Sequence, residues 1–213
     1  MKYKAILFDM DGTLLDTLTD MADAVNHILS VHGWPLRTTE EVRAFVGNGA
    51  RRLMERAVPP EVTGGDFEAV LTEYRDWYQA HNCVATAPYP GIPALLAALA
   101  EAGIKTAVVS NKPDATTKTL AARFFPGLPA FGQRDDVPPK PAPDLVFRAL
   151  ETLGVDAADA VYVGDSEVDV ATARNAGLPL AAVSWGFRGR RALAEAGAAV
   201  IVDTAAELLA LLQ

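Results

Sequence analysis

A chain of 213 residues, half of them hydrophobic and 22% charged, can bury a full core without disulfides or a structural metal. Its 27 acidic and 19 basic residues leave a net charge of −8, which argues against nucleic acid and against a polybasic membrane contact. The one cysteine, Cys83, excludes an intrachain disulfide and a cysteine-based zinc cluster.

The first run, Tyr3 to Asp9, is apolar on both faces, as central strands of a parallel sheet are. It is too short for a membrane span or the apolar region of a signal peptide, so the expected location is the cytoplasm. From residue 17 to 81 every pattern is helical. Leu18, Met21, Ala22, Val25, Ile28 and Leu29 share one face, and Gly33 ends that run. Thr38 to Glu41 forms a capping box ahead of Val42, Phe45 and Val46. Leu53, Met54 and Ala57 follow Gly47-Asn48-Gly49 and stop at Pro59-Pro60; Phe67, Val70, Leu71, Tyr74, Trp77 and Tyr78 form a last helix.

The pattern then alternates. Ile92 to Ala100 is helical and Lys105 to Ser110 a strand. Leu145 to Leu153 is helical and Ala160 to Asp165 a strand. A short helix around Val170 and Ala173 precedes a strand from Leu180 to Ser184. Ala198 to Val202 is a weaker strand, and Thr204 to Glu207 a second capping box before a last helix. Strand and helix in alternation call for α/β architecture: a doubly wound, Rossmann-like parallel sheet. Residues 1–15 and 83–213 are assigned to that core, and 16–82 to a helical cap inserted after the first strand. An insertion there stands at the carboxyl end of strand one, where such sheets bind ligands, so it is expected to act as a lid. Its hinges are expected at 15–17 and 82–88.

Chemistry concentrates at the strand ends. Asp9 and Asp11 lie two residues apart where the first strand runs out, and Gly12 permits a tight turn. Two like charges at a buried edge are costly unless a cation or proton shares them. A lone Asp there would more often be a helix cap or Asx-turn. Ser110 and Asn111 end another strand and offer a hydroxyl and backbone N–H groups to a phosphate, or an N-cap to the next helix. Lys140 stands in the proline-rich Pro138 to Pro143, either aimed at an anion or solvated in a stiff loop. Gly164-Asp165-Ser166 ends a third strand, with Asp169 one helical turn on. Ser166 also reads as an N-cap. Together these are hard oxygen ligands for Mg²⁺ plus one cation for an anionic group. The three histidines all fall in the helical stretch and form no triad.

Asp9-x-Asp11-Gly12-Thr13, Ser110, Lys140 and Gly164-Asp165-Ser166-x-x-Asp169, in that order, resemble the four motifs of the haloacid dehalogenase-like hydrolase superfamily. Phe45 to Leu53, Lys105 to Lys112 and Asp135 to Pro138 are similar to its phosphoglycolate phosphatase subgroup. The resemblance implies that Asp9 is the nucleophile and Asp11 the general acid and base. It implies that Ser110 and Lys140 bind the phosphoryl group. It implies that Asp9, the Asp11 backbone carbonyl and Asp165 hold Mg²⁺, with Asp169 in support. Asp11 argues against the dehalogenase branch, since a halide leaving group needs no proton. Phosphomutase, pyrophosphatase and nucleotidase activities of the same superfamily remain open, as does a phospho-accepting signalling module. Within the cap, Gly47, Asn48, Gly49 and Arg52 are candidates for selecting a substrate carboxylate; a plain glycine break with solvated arginines is the alternative. The expected partner is a small phosphorylated metabolite, and the expected state a monomer or weak homodimer.

Overall fold

The computed structural model describes residues 2–212. In chain order the elements are β1 (Ala5–Phe8), β2 (Leu15–Asp16), α1 (Leu18–Val31), α2 (Thr39–Phe45), α3 (Gly49–Ala57) and α4 (Gly64–His81). Next come β3 (Ala87–Pro88), α5 (Ile92–Glu101), β4 (Lys105–Pro113), α6 (Asp114–Phe124), β5 (Ala130–Gln133) and α7 (Asp144–Leu153). The chain ends with β6 (Ala160–Gly164), α8 (Glu167–Ala176), β7 (Leu180–Val183), α9 (Gly189–Glu195), β8 (Ile201–Val202) and α10 (Ala205–Leu212). No helix among the described residues is long and apolar enough to cross a membrane.

Six strands form one parallel sheet in the order β5-β4-β1-β6-β7-β8. The direction of winding reverses beside β1, the kind of switch point where open α/β sheets bind ligands. Alternation along the strands supplies both faces. Ile6, Phe8, Val108 and Val163 pack under α5 and α10 with Ile92, Leu95 and Leu208. Ala5, Leu7, Val109 and Tyr162 pack under α7 and α8 with Val146, Ala149 and Ala173. The strand expected at Lys105 to Ser110 runs on to Pro113, and β5 joins it at the sheet edge, partly buried and without an apolar run to announce it.

A further apolar cluster draws almost wholly on α1 to α4, from Leu18 to Tyr78, and takes in Phe187 from the loop after β7. The chain enters this stretch through β2 and leaves it into β3. These two pair antiparallel, Leu15 with Pro88 and Asp16 with Ala87. The capping box expected at Thr38 forms in full, with the Thr38 side chain accepting from the Glu41 amide and Glu41 reaching back. At Thr204 only half forms. The hydroxyl accepts from the Glu207 amide, while the Glu207 carboxylate takes the amide of Asp203 instead.

Asp20, on the first turn of α1, is 1% exposed. Its carboxylate accepts from the amides of Val84 (3.1 Å), Ala85 (2.8 Å) and Thr86 (2.9 Å) and from the Thr86 hydroxyl (2.7 Å). The exit linker is thus tied to the entry helix. Asp20→Ala removes the acceptor of three linker amides, that of Thr86 buried, and is expected to cost about 3 kcal/mol, since hydrogen bonds to a charged group are individually strong but not additive. Urea unfolding checks this; an unchanged midpoint means the linker is anchored some other way.

Candidate active site

The floor of the site is the carboxyl edge of the sheet, where β4, β1 and β6 run out side by side. Phe8 pairs with Val108 and Val163, and the Asp9 amide extends the ladder by donating to the Val163 carbonyl at 2.9 Å. Asp9 and Asp165 therefore leave neighbouring strands at fixed points, both buried. The glycines around them are there for lack of room. Gly12 has φ +86°, and a Cβ on it would lie 2.4 Å from Asp165 Oδ2. A Cβ on Gly186 would lie 2.3 Å from the Gly12 carbonyl oxygen. Asp165 accepts from the Phe187 amide (2.7 Å) and the Thr13 hydroxyl (3.2 Å).

Asp169 is the third residue of α8, and its two oxygens serve two ends. Oδ2 closes the capping box with Ser166, accepting from its amide at 3.1 Å. Oδ1 accepts from the Lys140 ammonium at 2.8 Å. The N-cap reading of Ser166 therefore holds, and the same Asp169 also pairs with Lys140. Lys140 Nζ also donates to Asp9 Oδ1 (2.8 Å) and the Tyr162 hydroxyl (3.0 Å), which uses all three of its protons. Its loop is held by the Asn111 amide, which accepts from the Lys140 N–H (2.7 Å) and donates to the Lys140 carbonyl (2.9 Å).

One oxygen each from Asp9, Asp165 and Asp169 lie within 4.8 Å of one another. Burial pushes the Asp9 carboxyl up to about 7; Asp169 and Asp11 add to this, and Lys140 opposes it. Burial likewise raises Asp165, helped by Asp169 and Asp9. For Lys140, burial works against the ammonium, but Asp169 and Asp9 outweigh it and hold its pKa well above the usual value. Three buried carboxylates against one ammonium leave an anionic excess. A hard divalent cation, which favours carboxylate oxygens, fits that donor set.

The carboxylate of Asp11 stands outside the cluster. It pairs with Lys112 Nζ at 3.1 Å and accepts from the Thr17 hydroxyl at 2.7 Å. Any part for Asp11 in holding a metal therefore falls to its backbone. Ser110 is 1% exposed, accepts from the Lys112 amide through its hydroxyl (3.2 Å), and faces the site. The Asn111 side chain is committed to the Lys140 loop and to the Gly47 carbonyl (3.2 Å), so it holds the loop rather than reaching toward a phosphate.

A cavity of about 340 Å³ stands over this floor. Its roof comes from Val46, Leu53, Tyr74 and Tyr78, the two tyrosine rings stacked at 5.8 Å. Gly47 and Gly49 line it, but Asn48 and Arg52 do not. Arg52, expected to select substrate, is exposed, pairs with Glu55 one turn on and stands off the cavity wall. Arg51 is tied to Glu68. Gly49 has φ +81°, and a Cβ there would lie 2.6 Å from the Gln133 side chain and 3.1 Å from the Asn111 carbonyl; close approach to the sheet explains it. Sequence reasoning missed Lys112, and it missed Arg188. Arg188 spans from the loop after β7 to the carbonyls of Arg43 (2.8 Å) and Val46 (2.6 Å). A signal for Arg188 existed, because β7 ends at the same edge as the three strands already singled out.

The model of the haloacid dehalogenase-like hydrolase family matches residues 6–183. The chain belongs to this family. An N-acetylmuramic acid 6-phosphate phosphatase from Pseudomonas aeruginosa is 35% identical, over 98% of this chain and 94% of its own length. A phosphoglycolate phosphatase from Cupriavidus necator is 38% identical, over 98% and 92%. A solved structure from Lactobacillus delbrueckii subsp. bulgaricus, 38% identical, superposes with a TM-score of 0.94 over 100% of this chain and 99% of that one. This hydrolase therefore shares both its sequence and its architecture with phosphatases across its whole length.

Proposed function

We propose that the chain is a Mg²⁺-dependent phosphatase of a small phosphate monoester that also carries a carboxylate, phosphoglycolate in the first instance. The observation that carries this reading is Lys140 held between Asp9 and Asp169 at the edge of the cavity, with Asp165 alongside. Asp9 and Ser110 face one space there, so a phosphoryl group can meet a carboxylate oxygen on one side and a hydroxyl on another. Asp9 attacks phosphorus in line, the ester bond breaks, and an aspartyl-phosphate forms. Asp11, on the same cavity wall, hands a proton to the departing alkoxide and then takes one from the water that cleaves the acyl phosphate. Lys140 offsets the charge that gathers on the transferring group. Mg²⁺, held by Asp9, Asp165 and the Asp11 carbonyl with Asp169 behind, would supply further neutralisation of that charge. Residues 16–82, entering and leaving by one paired ribbon, act as the cap that keeps bulk water from the floor. The acidic balance supports an enzyme acting on metabolites rather than on nucleic acid.

A second substrate has support. Phosphoglycolate and N-acetylmuramic acid 6-phosphate, the compounds named for the two relatives, both join a carboxylate to a phosphate monoester. The cavity lies within the range that holds drug-sized ligands and exceeds the needs of a two-carbon ester, and stacked tyrosines suit a sugar ring. Phosphate release from a panel of esters, in chelator and after Mg²⁺ is restored, tests the reading. Sustained, Mg²⁺-dependent turnover with the highest kcat/KM on a carboxylated ester is expected. Stoichiometric phosphorylation without turnover would make the chain a signalling module. A preference for nucleotides would overturn the substrate class.

A further inference from the structure

We propose that Lys112 receives the carboxylate of the substrate. The inference rests on the reading above, that the substrate bears one. Lys112 is 6% exposed, and a buried ammonium needs acceptors. Two are present among the described residues: the Asp11 carboxylate at 3.1 Å and the Tyr78 hydroxyl at 2.9 Å. An ammonium has three protons to donate, and this one lines the cavity, so its third N–H is left for a bound molecule.

The other cations on the cavity wall are spoken for or set apart. Lys140 is saturated by Asp9, Asp169 and Tyr162. Arg188 is held by Glu167 and two backbone carbonyls. Arg75, on α4, is exposed. Only Lys112 combines burial with an open donor. Its position also fits the chemistry. A group that protonates the leaving oxygen must touch it, and Asp11 touches Lys112. A carboxylate one methylene from the ester oxygen then comes within reach of the same ammonium. The Tyr78 hydroxyl beside it, kept protonated by burial and by Asp11, is a second donor. A carboxylate carried across a sugar ring from its phosphate would stand nearer the exposed Arg75.

The test is the ratio of kcat/KM for phosphoglycolate to that for ethyl phosphate, which lacks the charge, in wild type, Lys112→Met, Lys112→Arg, Tyr78→Phe and Arg75→Ala. Wild type should prefer phosphoglycolate. Lys112→Met should lower the ratio at least about tenfold, the scale of one charge-assisted hydrogen bond. Lys112→Arg should restore part of it, and Tyr78→Phe should lower it less. If Lys112→Met does not fold, the Arg and Phe variants carry the same test, and an unmoved ratio in both overturns the proposal. Equal loss on both esters overturns it too, since that marks a role confined to holding Asp11. So does a collapse of the ratio in Arg75→Ala alone, which places the carboxylate at the rim. No preference in the wild type would instead defeat the carboxylated-substrate reading itself.

Discussion

Asp9→Asn is expected to fold normally and to lose at least about 10⁴-fold in turnover, because the amide keeps the shape of the nucleophile and not its reactivity. The amide oxygen can still accept from Lys140, so the Lys140 loop keeps its anchor. Stability should not fall. A carboxyl raised from 3.8 to about 7 on folding binds its proton more tightly in the folded state. Its ionisation therefore opposes folding, by an amount that grows as pH rises from 3.8 to about 7 and is constant above. A neutral isostere is free of that penalty. In chelated buffer at pH 8, Asp9→Asn should melt at or above the wild-type temperature. Single-turnover and steady-state phosphate release, run beside thermal melts, check both halves. Wild-type-like turnover by the folded variant would remove Asp9 from the chemistry.

Lys140→Met should do damage of a different kind, in stability as well as rate. The methionine fills similar space but leaves Asp9 and Asp169, both buried, without the cation between them. Breaking a buried ion pair from one side typically costs about 3–5 kcal/mol. The Tyr162 hydroxyl also loses a donor, though it keeps its own bond to the Val109 carbonyl at 3.2 Å. Turnover should drop by at least about 10³-fold, since the charge gathering on the transferring group loses its counter-charge. The diagnostic comparison is Lys140→Met with Asp169→Asn. Removing one of the two stranded charges should return part of the lost stability, a non-additivity expected of groups in one network. Unfolding midpoints for the singles and the double decide it. An unchanged midpoint in Lys140→Met means that Lys140 does not hold the cluster together.

The floor of this site was legible because two local signals coincided: apolar runs that end, and polar or charged residues at the end. Asp9, Ser110 and Asp165 each carry both signals. Lys140 carries neither, and only its place in the motif order brought it in; alone it reads as a solvated lysine. Lys112 escaped because Lys105 to Ser110 looked complete as a strand. In fact β4 continues to Pro113, since Gln133 of β5 pairs with Pro113 across the edge, and that pairing is long-range. The β5 strand has Gly132 at its centre and no alternation to read. The roof was harder for a general reason. Helical periodicity fixes which residues share a face, but not which way the face is turned. Arg52 and Tyr78 are both on sound helices; Arg52 meets water and Tyr78 meets Lys112. Tertiary packing decided between them.

The ribbon of Leu15–Asp16 against Ala87–Pro88 makes one doorway of two crossings. The stretch between them is tied back to the core as well, by Asn111 to the Gly47 carbonyl, Lys112 to the Tyr78 hydroxyl and Arg188 to the carbonyls of Arg43 and Val46. The entropy of closing such an excursion rises only with the logarithm of its length, and the ribbon fixes its ends whatever lies between. A change of length inside the stretch therefore costs little in closure entropy, while Asp9 and Asp165 are set by the pairing of β1 with β6. Chemistry and choice of substrate meet at Lys112, a residue of the sheet that touches Asp11 on one side and Tyr78 of the inserted stretch on the other.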